Sequence, residues 1–266
     1  MRQAKTTEIY CFHTIGLSMN RPYPCDPCFI RVRPSLTNLP YNGTSSMAPV
    51  KAVLFDYGMV LSAPPDPAAW ARIRTLTGLN EDILHREYWA HRRAYDRGDL
   101  SAVAYWHKAA AGAGIVLSPA QLTELITADT DLWSQLNPPM LEWAQRLQRA
   151  GVRTGILSNM PDAVEAGLRA RHLWIESFDH HTWSHTLNLL KPEPAIYLHA
   201  AEGLQTPPAN ILFLDDRPEN IEAALAIGMQ AIHYTTHAAF VHEMHARGLD
   251  HLLQLEGHTA SQNGKL

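Results

Sequence analysis

The first sustained apolar run in the chain is Ala52-Val53-Leu54-Phe55, which ends on Asp56 with Gly58 two positions further on. A run this short, without alternation and closed by a carboxylate and a glycine, predicts a parallel strand buried on both faces. From about residue 63 to 137 the apolar positions take up a helical period. Asp66-Pro67, Asn80-Glu81, Ser101 and Ser118-Pro119 each set a capping side chain ahead of helix formers, and Gly78, Gly98 and Gly112 or Gly114 supply the stops. Four helices with no strand between them are expected there. Strands and helices then alternate: helix Leu141 to Ala150 closed by Gly151, strand Val152 to Leu157 ending at Ser158, and helix Asp162 to Arg171. A short strand near His181 to Trp183, Lys191, a helix from Pro194 and the strand Ile211 to Leu214, which runs into Asp215-Asp216, come next. A helix near Pro218 to Ile227, closed by Gly228, leads to a last strand around Ala231 to His233. This alternation predicts an α/β fold, a doubly wound, Rossmann-like parallel sheet with a helical segment inserted after its first strand.

The two ends of the chain read differently. Residues 1–47 show no sustained period and are punctuated by Pro22, Pro24, Pro27, Pro34 and Pro40, so a disordered extension is expected, with a flexible tail at 257–266. All three cysteines, Cys11, Cys25 and Cys28, lie in the extension. With His13 they compose a conceivable zinc site, but the turn and strand signals that frame such knuckles are missing, and an irregular tail is the preferred reading. The Asn42-Gly43-Thr44 sequon is taken as chance.

Composition narrows the partners. With 46% hydrophobic and 18% charged residues and a formal charge of −4, the chain has material for one full core and no basic face for nucleic acid or an anionic membrane. No apolar run approaches the ~20 residues that span a bilayer. A cytoplasmic protein acting on a small molecule is expected; oligomeric state is left open.

Three strand ends therefore offer Asp56, Ser158 and Asp215-Asp216, and a loop or helix start offers Lys191. Brought together, they suit one phosphate and one hard dication such as Mg²⁺, which takes a couple of carboxylates and a phosphate oxygen. Lys191 and Ser158 would add a charge and a hydroxyl donor for the transferring oxygens.

The stretches carrying these residues are Phe55-Asp56-Tyr57-Gly58-Met59-Val60-Leu61, Leu157-Ser158-Asn159, Lys191-Pro192-Glu193-Pro194-Ala195-Ile196-Tyr197 and Leu214-Asp215-Asp216-Arg217-Pro218-Glu219-Asn220. In order and spacing they resemble the four motifs of the haloacid-dehalogenase-like superfamily. The helical insertion, with Tyr95-Asp96-Arg97-Gly98-Asp99-Leu100-Ser101, resembles the C1 cap of subfamily IA. The resemblance implies a core at 48–62 and 138–256, a cap at 63–137, and an Mg²⁺-dependent phosphatase working through an aspartyl-phosphate. It implies Asp56 as nucleophile and metal ligand, the Gly58 carbonyl and Asp216 as further ligands, and Asp215 as a ligand through water or a support. Ser158, the neighbouring Asn159 amide and Lys191 would hold the phosphoryl group, and Asn220 would orient Lys191 or the metal ligands.

One position departs from the pattern. Most phosphatases of the superfamily carry an aspartate acting as general acid and base where this chain has Gly58. Such a group contributes about 10² to 10⁴ in rate, so substrates with leaving groups that need little help are favoured: anomeric sugar phosphates, acyl phosphates and aryl phosphates. His181 and His185 are candidates for the missing base. Trp70, Trp89, Trp106 and Trp133 are read as core packing of the insertion, with room for one to face the substrate. The alternatives are a metal-independent 2-haloacid dehalogenase and a non-catalytic binding protein on the same scaffold.

Overall fold

The computed structural model describes residues 48–255. The expected disordered extension, the cysteine-based zinc alternative and the flexible tail lie outside them.

The chain forms β1 (Ala52–Phe55), then α1 (Pro67–Thr77), α2 (Glu81–Ala90), α3 (Arg92–Arg97), α4 (Ala102–Gly112), α5 (Pro119–Leu132) and α6 (Pro138–Arg149). It continues with β2 (Arg153–Ser158), α7 (Asp162–Arg171), β3 (His180–Trp183), α8 (Ser184–Leu187) and α9 (Pro194–Gly203). The last elements are β4 (Ile211–Asp215), α10 (Pro218–Ala226), β5 (Gln230–His233), α11 (His237–Ala246) and α12 (Asp250–Leu253). The five strands form one parallel sheet in the order β3-β2-β1-β4-β5, as a doubly wound α/β fold requires. β1 sits in the centre with every residue buried, which is why its sequence is an unbroken apolar run.

Helices cover both faces of the sheet. On one face Leu54, Leu157 and Phe213 pack with Ile196, Tyr197 and Ala200 of α9 and with Ala224 of α10. On the other, Phe55 meets Trp143 of α6 edge-on at 5.5 Å, and Trp143 meets Phe240 of α11 at 4.8 Å. Phe55 is level with Ile156 on one side and Leu214 on the other. The next residues out, Asp56, Leu157-Ser158 and Asp215-Asp216, therefore emerge together at the carboxyl edge, where such sheets carry their sites.

The inserted segment holds five helices where four were expected. The chain breaks at His91 (φ −117°, ψ 2°), and Gly98 (φ 86°) closes the short α3 instead of the helix begun at Asn80. The break carries neither glycine nor proline, so no local signal marks it. α11 and α12 were likewise not anticipated. Tyr88 is the hub of the insertion: Trp70, Trp89 and Trp106 pack around its ring at 5.2, 4.9 and 6.1 Å, and Trp133 Nε1 points at its hydroxyl, 3.4 Å away. Beside it Arg92 is buried between Asp96 (2.7 Å) and Asp129 (3.0 Å). Trp106 and Trp133 are buried in the insertion, and Trp70 and Trp89 are half-buried beside them. Among the described residues no helix is long and apolar enough to cross a membrane.

Gly98 is needed for a close approach as well as for its positive φ. A Cβ there would lie 2.7 Å from the main-chain oxygen of His185. Gly98→Ala is expected to lower stability by about 2 kcal/mol, from backbone strain plus overpacking. A melting curve unchanged from the wild type would show that α3 and α8 are not held this tightly.

Candidate active site

Asp56 ends β1 in extended conformation, its main-chain N–H bonded to Leu214 O at 2.8 Å. Its Oδ1 accepts from the Tyr57 N–H at 2.7 Å and faces Lys191 Nζ at 2.8 Å. Both contacts use Oδ1, leaving Oδ2 free of these two donors. Residues Tyr57–Leu61 make one wide turn in which Gly58 and Met59 are non-helical, and Ser62 N–H closes it on Tyr57 O at 2.8 Å.

Lys191 is the buried counter-ion. Its ammonium donates to Asp215 Oδ2 at 2.6 Å and to Leu157 O at 3.0 Å, besides Asp56, so three partners match its three hydrogens. Asp215, fully buried, is also held through Oδ1 by the Arg217 N–H (2.8 Å) and by Asn220 Nδ2 (2.9 Å). Asp216, half-buried, completes a triad in which Asp56, Asp215 and Asp216 each offer an oxygen within 4.8 Å of the others. Among the described residues no other group of three histidines, cysteines or carboxylates comes so close.

The electrostatics follow from crowding. Burial pushes the Asp56 carboxyl up to about 8; Lys191 opposes this, while Asp215 and Asp216 add to it. Burial, then Asp215, raise Asp216 to about 6. Burial works against the Lys191 ammonium, but Asp215 and Asp56 outweigh it and hold its pKa above the ordinary lysine value.

Ser158 ends β2 beside this cluster and is buried. The Asn159 side chain follows it and is turned onto the lysine segment. Its Oδ1 accepts from the Lys191 N–H at 2.8 Å and its Nδ2 donates to Lys191 O at 3.1 Å, a two-point clamp on the lysine's backbone. Only its main-chain N–H is left for a bound phosphoryl group. The peptide bond between Lys191 and Pro192 is cis.

The lysine segment is also held from the insertion. Arg97 of α3 pairs with Glu193 at 2.6 Å, and the same Glu193 oxygen accepts from the Leu190 N–H at 3.2 Å. Asn188 Nδ2 donates to Arg97 O at 3.0 Å, and Ser184 Oγ bonds to Asp96 O.

The two histidines considered as substitutes for an aspartate at Gly58 are committed elsewhere. His181 Nε2 lies 2.7 Å from Ile175 O, and His185 Nε2 lies 2.6 Å from Glu165 Oε2. What stands over Gly58 is an indole: a Cβ at this position would be 3.8 Å from Trp133 Cζ3. The sequence named Trp133 as one of four candidates and could not choose among them, because the contact joins residues 75 positions apart (133 against 58).

A doubly wound parallel sheet with aspartates from its two central strands joined by a buried lysine marks an α/β protein whose chemistry sits on its strand ends. The chain belongs to the haloacid dehalogenase-like hydrolases, whose family model matches residues 50–228. Among proteins of known activity, the sesquiterpene phosphatase astK of Aspergillus oryzae is 27% identical over 202 residues, covering 73% of this chain and 94% of that protein. The bifunctional epoxide hydrolase 2 of Sus scrofa is 27% identical over 203 residues, 69% of this chain but 36% of that protein. Among solved structures, a mutant HAD family enzyme from Bacteroides thetaiotaomicron, in complex with magnesium and inorganic phosphate, superposes with a TM-score of 0.60 at 19% identity, covering 71% of this chain and 95% of that one. L-2-haloacid dehalogenase from Xanthobacter autotrophicus gives 0.55 at 20% identity, covering 74% and 83%. At these identities the structural likeness speaks to the fold alone.

Proposed function

We propose that this hydrolase is an Mg²⁺-dependent phosphatase of small phosphorylated molecules, with Asp56 as the nucleophile and residues 63–137 as a cap over a core at 48–62 and 138–256. The observation that carries the reading is the triad of carboxylates matched by a single lysine. Burial and the two neighbouring carboxylates favour a proton on Asp56, and a protonated carboxyl is no nucleophile. A cation is what the donor set lacks, and its all-oxygen composition suits a hard one. A dehalogenase that works without metal gains nothing from the third carboxylate. The phosphatase activity of the Aspergillus oryzae relative supports the same choice.

Asp56, Asp216 and the Gly58 carbonyl would hold the Mg²⁺, with Asp215 as a water-mediated ligand or support that Asn220 and the Arg217 N–H orient. Bound there, the ion supplies positive charge that screens the phosphate from the attacking carboxylate. Asp56 then forms a bond to phosphorus as the bond to the leaving oxygen breaks, and water hydrolyses the aspartyl-phosphate to restore the carboxylate. Ser158, the Asn159 N–H and Lys191 hold the phosphoryl oxygens. Because the three hydrogens of Lys191 are already matched by three partners, a phosphoryl oxygen takes the place of one of them.

The direct test is hydrolysis of an aryl phosphate with and without Mg²⁺: activity should vanish with a chelator and return with the ion. Proton competition gives a second prediction. A ligand whose carboxyl sits near 8 must lose its proton to bind, so Mg²⁺ affinity should rise from pH 6 to 8 and level off above. Calorimetric titration at three pH values checks this, and a pH-independent affinity would remove Asp56 from the ligand set.

A further inference from the structure

Two observations tie Trp133 to the turn that follows the nucleophile. The Tyr57 hydroxyl donates to Trp133 O at 3.1 Å, and the ring edge at Cζ3 lies over Gly58, 3.8 Å from where a Cβ would stand. The indole is buried and held from behind. Its Nε1 faces the Tyr88 hydroxyl at 3.4 Å, and the Arg92 guanidinium, itself fixed by Asp96 and Asp129, lies 5.9 Å from the ring centre. A ring fixed on three sides is a preorganised surface.

Resting on the phosphatase reading above, we infer that Trp133 is the specificity-determining residue of the site, an aromatic wall paired with the side-chain-free Gly58. The substrate class it fits is a phosphate ester of a phenol or a similarly apolar, weakly basic oxygen leaving group.

The chemistry is self-consistent. Asp56 Oδ bonds to phosphorus while the P–O bond to the ring oxygen breaks, and that oxygen departs with the electron pair as an aryloxide, later protonated by water. A phenol has a pKa of about 10, against roughly 15.7 for water, which aliphatic alcohols approach. The aryloxide leaves without the acid that Gly58 cannot provide. The wall gives the flat apolar body an offset-stacked or edge-on partner. A Cβ at position 58 would meet Trp133 Cζ3 at ordinary contact distance.

The test uses the full-length protein and two probe families. In the wild-type protein with Mg²⁺ present, benzylphosphonate, whose C–P bond is not hydrolysed, should bind at least tenfold tighter than methylphosphonate by calorimetry. Trp133→Ala should collapse that ratio to below about threefold while leaving inorganic phosphate affinity unchanged, and Trp133→Phe should restore most of it. In the active protein, Trp133→Ala should raise KM for phenyl phosphate about tenfold with a smaller change for an alkyl phosphate. If Trp133→Ala fails to fold, Trp133→Leu carries the same comparison. Equal affinity for the two phosphonates, or a Trp133 effect shared equally by aryl and alkyl esters, overturns the inference alone. Failure of every phosphonate and of phosphate itself to bind overturns the phosphatase reading with it.

Discussion

Asp56→Asn is expected to abolish turnover and leave the fold intact. The amide is isosteric, so it still accepts from the Tyr57 N–H and from Lys191, and its own N–H remains bonded to Leu214 O. What it loses is the nucleophile, because an amide oxygen does not form the phosphoryl bond. A fall of four orders of magnitude or more is anticipated, about 5.4 kcal/mol of barrier. Stability should hold or rise, since one of three crowded carboxylates is neutralised without a change of shape. Steady-state rates on an aryl phosphate together with a thermal melt decide the matter. A variant that keeps more than about a tenth of the activity removes Asp56 from its role, and one that unfolds leaves the aspartate a structural part.

Lys191→Ala should have the largest effect on stability. The wild-type ammonium is the shared partner of Asp56 and Asp215, at 2.8 and 2.6 Å, inside a site with almost no exposure. Breaking a buried pair by deleting one partner typically costs about 3 to 5 kcal/mol, because the remaining charge stays behind. The sign with pH is fixed by the carboxyls. Burial and mutual repulsion already raise Asp56 and Asp216, and without the lysine both are raised further, so the variant binds more protons folded than unfolded. Its deficit relative to the wild type should be greatest above pH 8 and shrink as the pH falls towards 5. Added Mg²⁺ should recover part of it by substituting one cation for another. Melting temperatures at several pH values, with and without the ion, test the whole statement. A variant as stable as the wild type at pH 8 would show that the lysine is not what holds the carboxylates together.

The sheet and the strand-end residues were legible because they obey rules that act within a few residues. Ala52 to Phe55 reads as a central parallel strand because both its faces are covered, and Ile211 to Leu214 reads the same way. Once those strands lie side by side, Asp56 and Asp215 must meet. What stayed hidden is tertiary. No local signal announces that the Asn159 side chain clamps the backbone of Lys191, 32 residues away. The break between α2 and α3 has no punctuating residue, and nothing local distinguishes Trp133 from the other three indoles around Tyr88. His181 in β3 and His185 in α8 were candidates for the missing base, yet Ile175 O and Glu165 take their Nε2 atoms.

The stitching of α3 to residues 184–193 has a consequence for engineering. The segment bearing Lys191 is pinned by Asn159 from the sheet and by Asp96 and Arg97 from the insertion, through Ser184, Asn188 and Glu193. Residues 63–137 are therefore not an interchangeable module. A chimera that grafts a relative's helices at those joints removes the Asp96 and Arg97 anchors of the lysine segment along with the helices. Such grafts should be designed with the α3 anchors and their receptors at Ser184, Asn188 and Glu193 moved as one set.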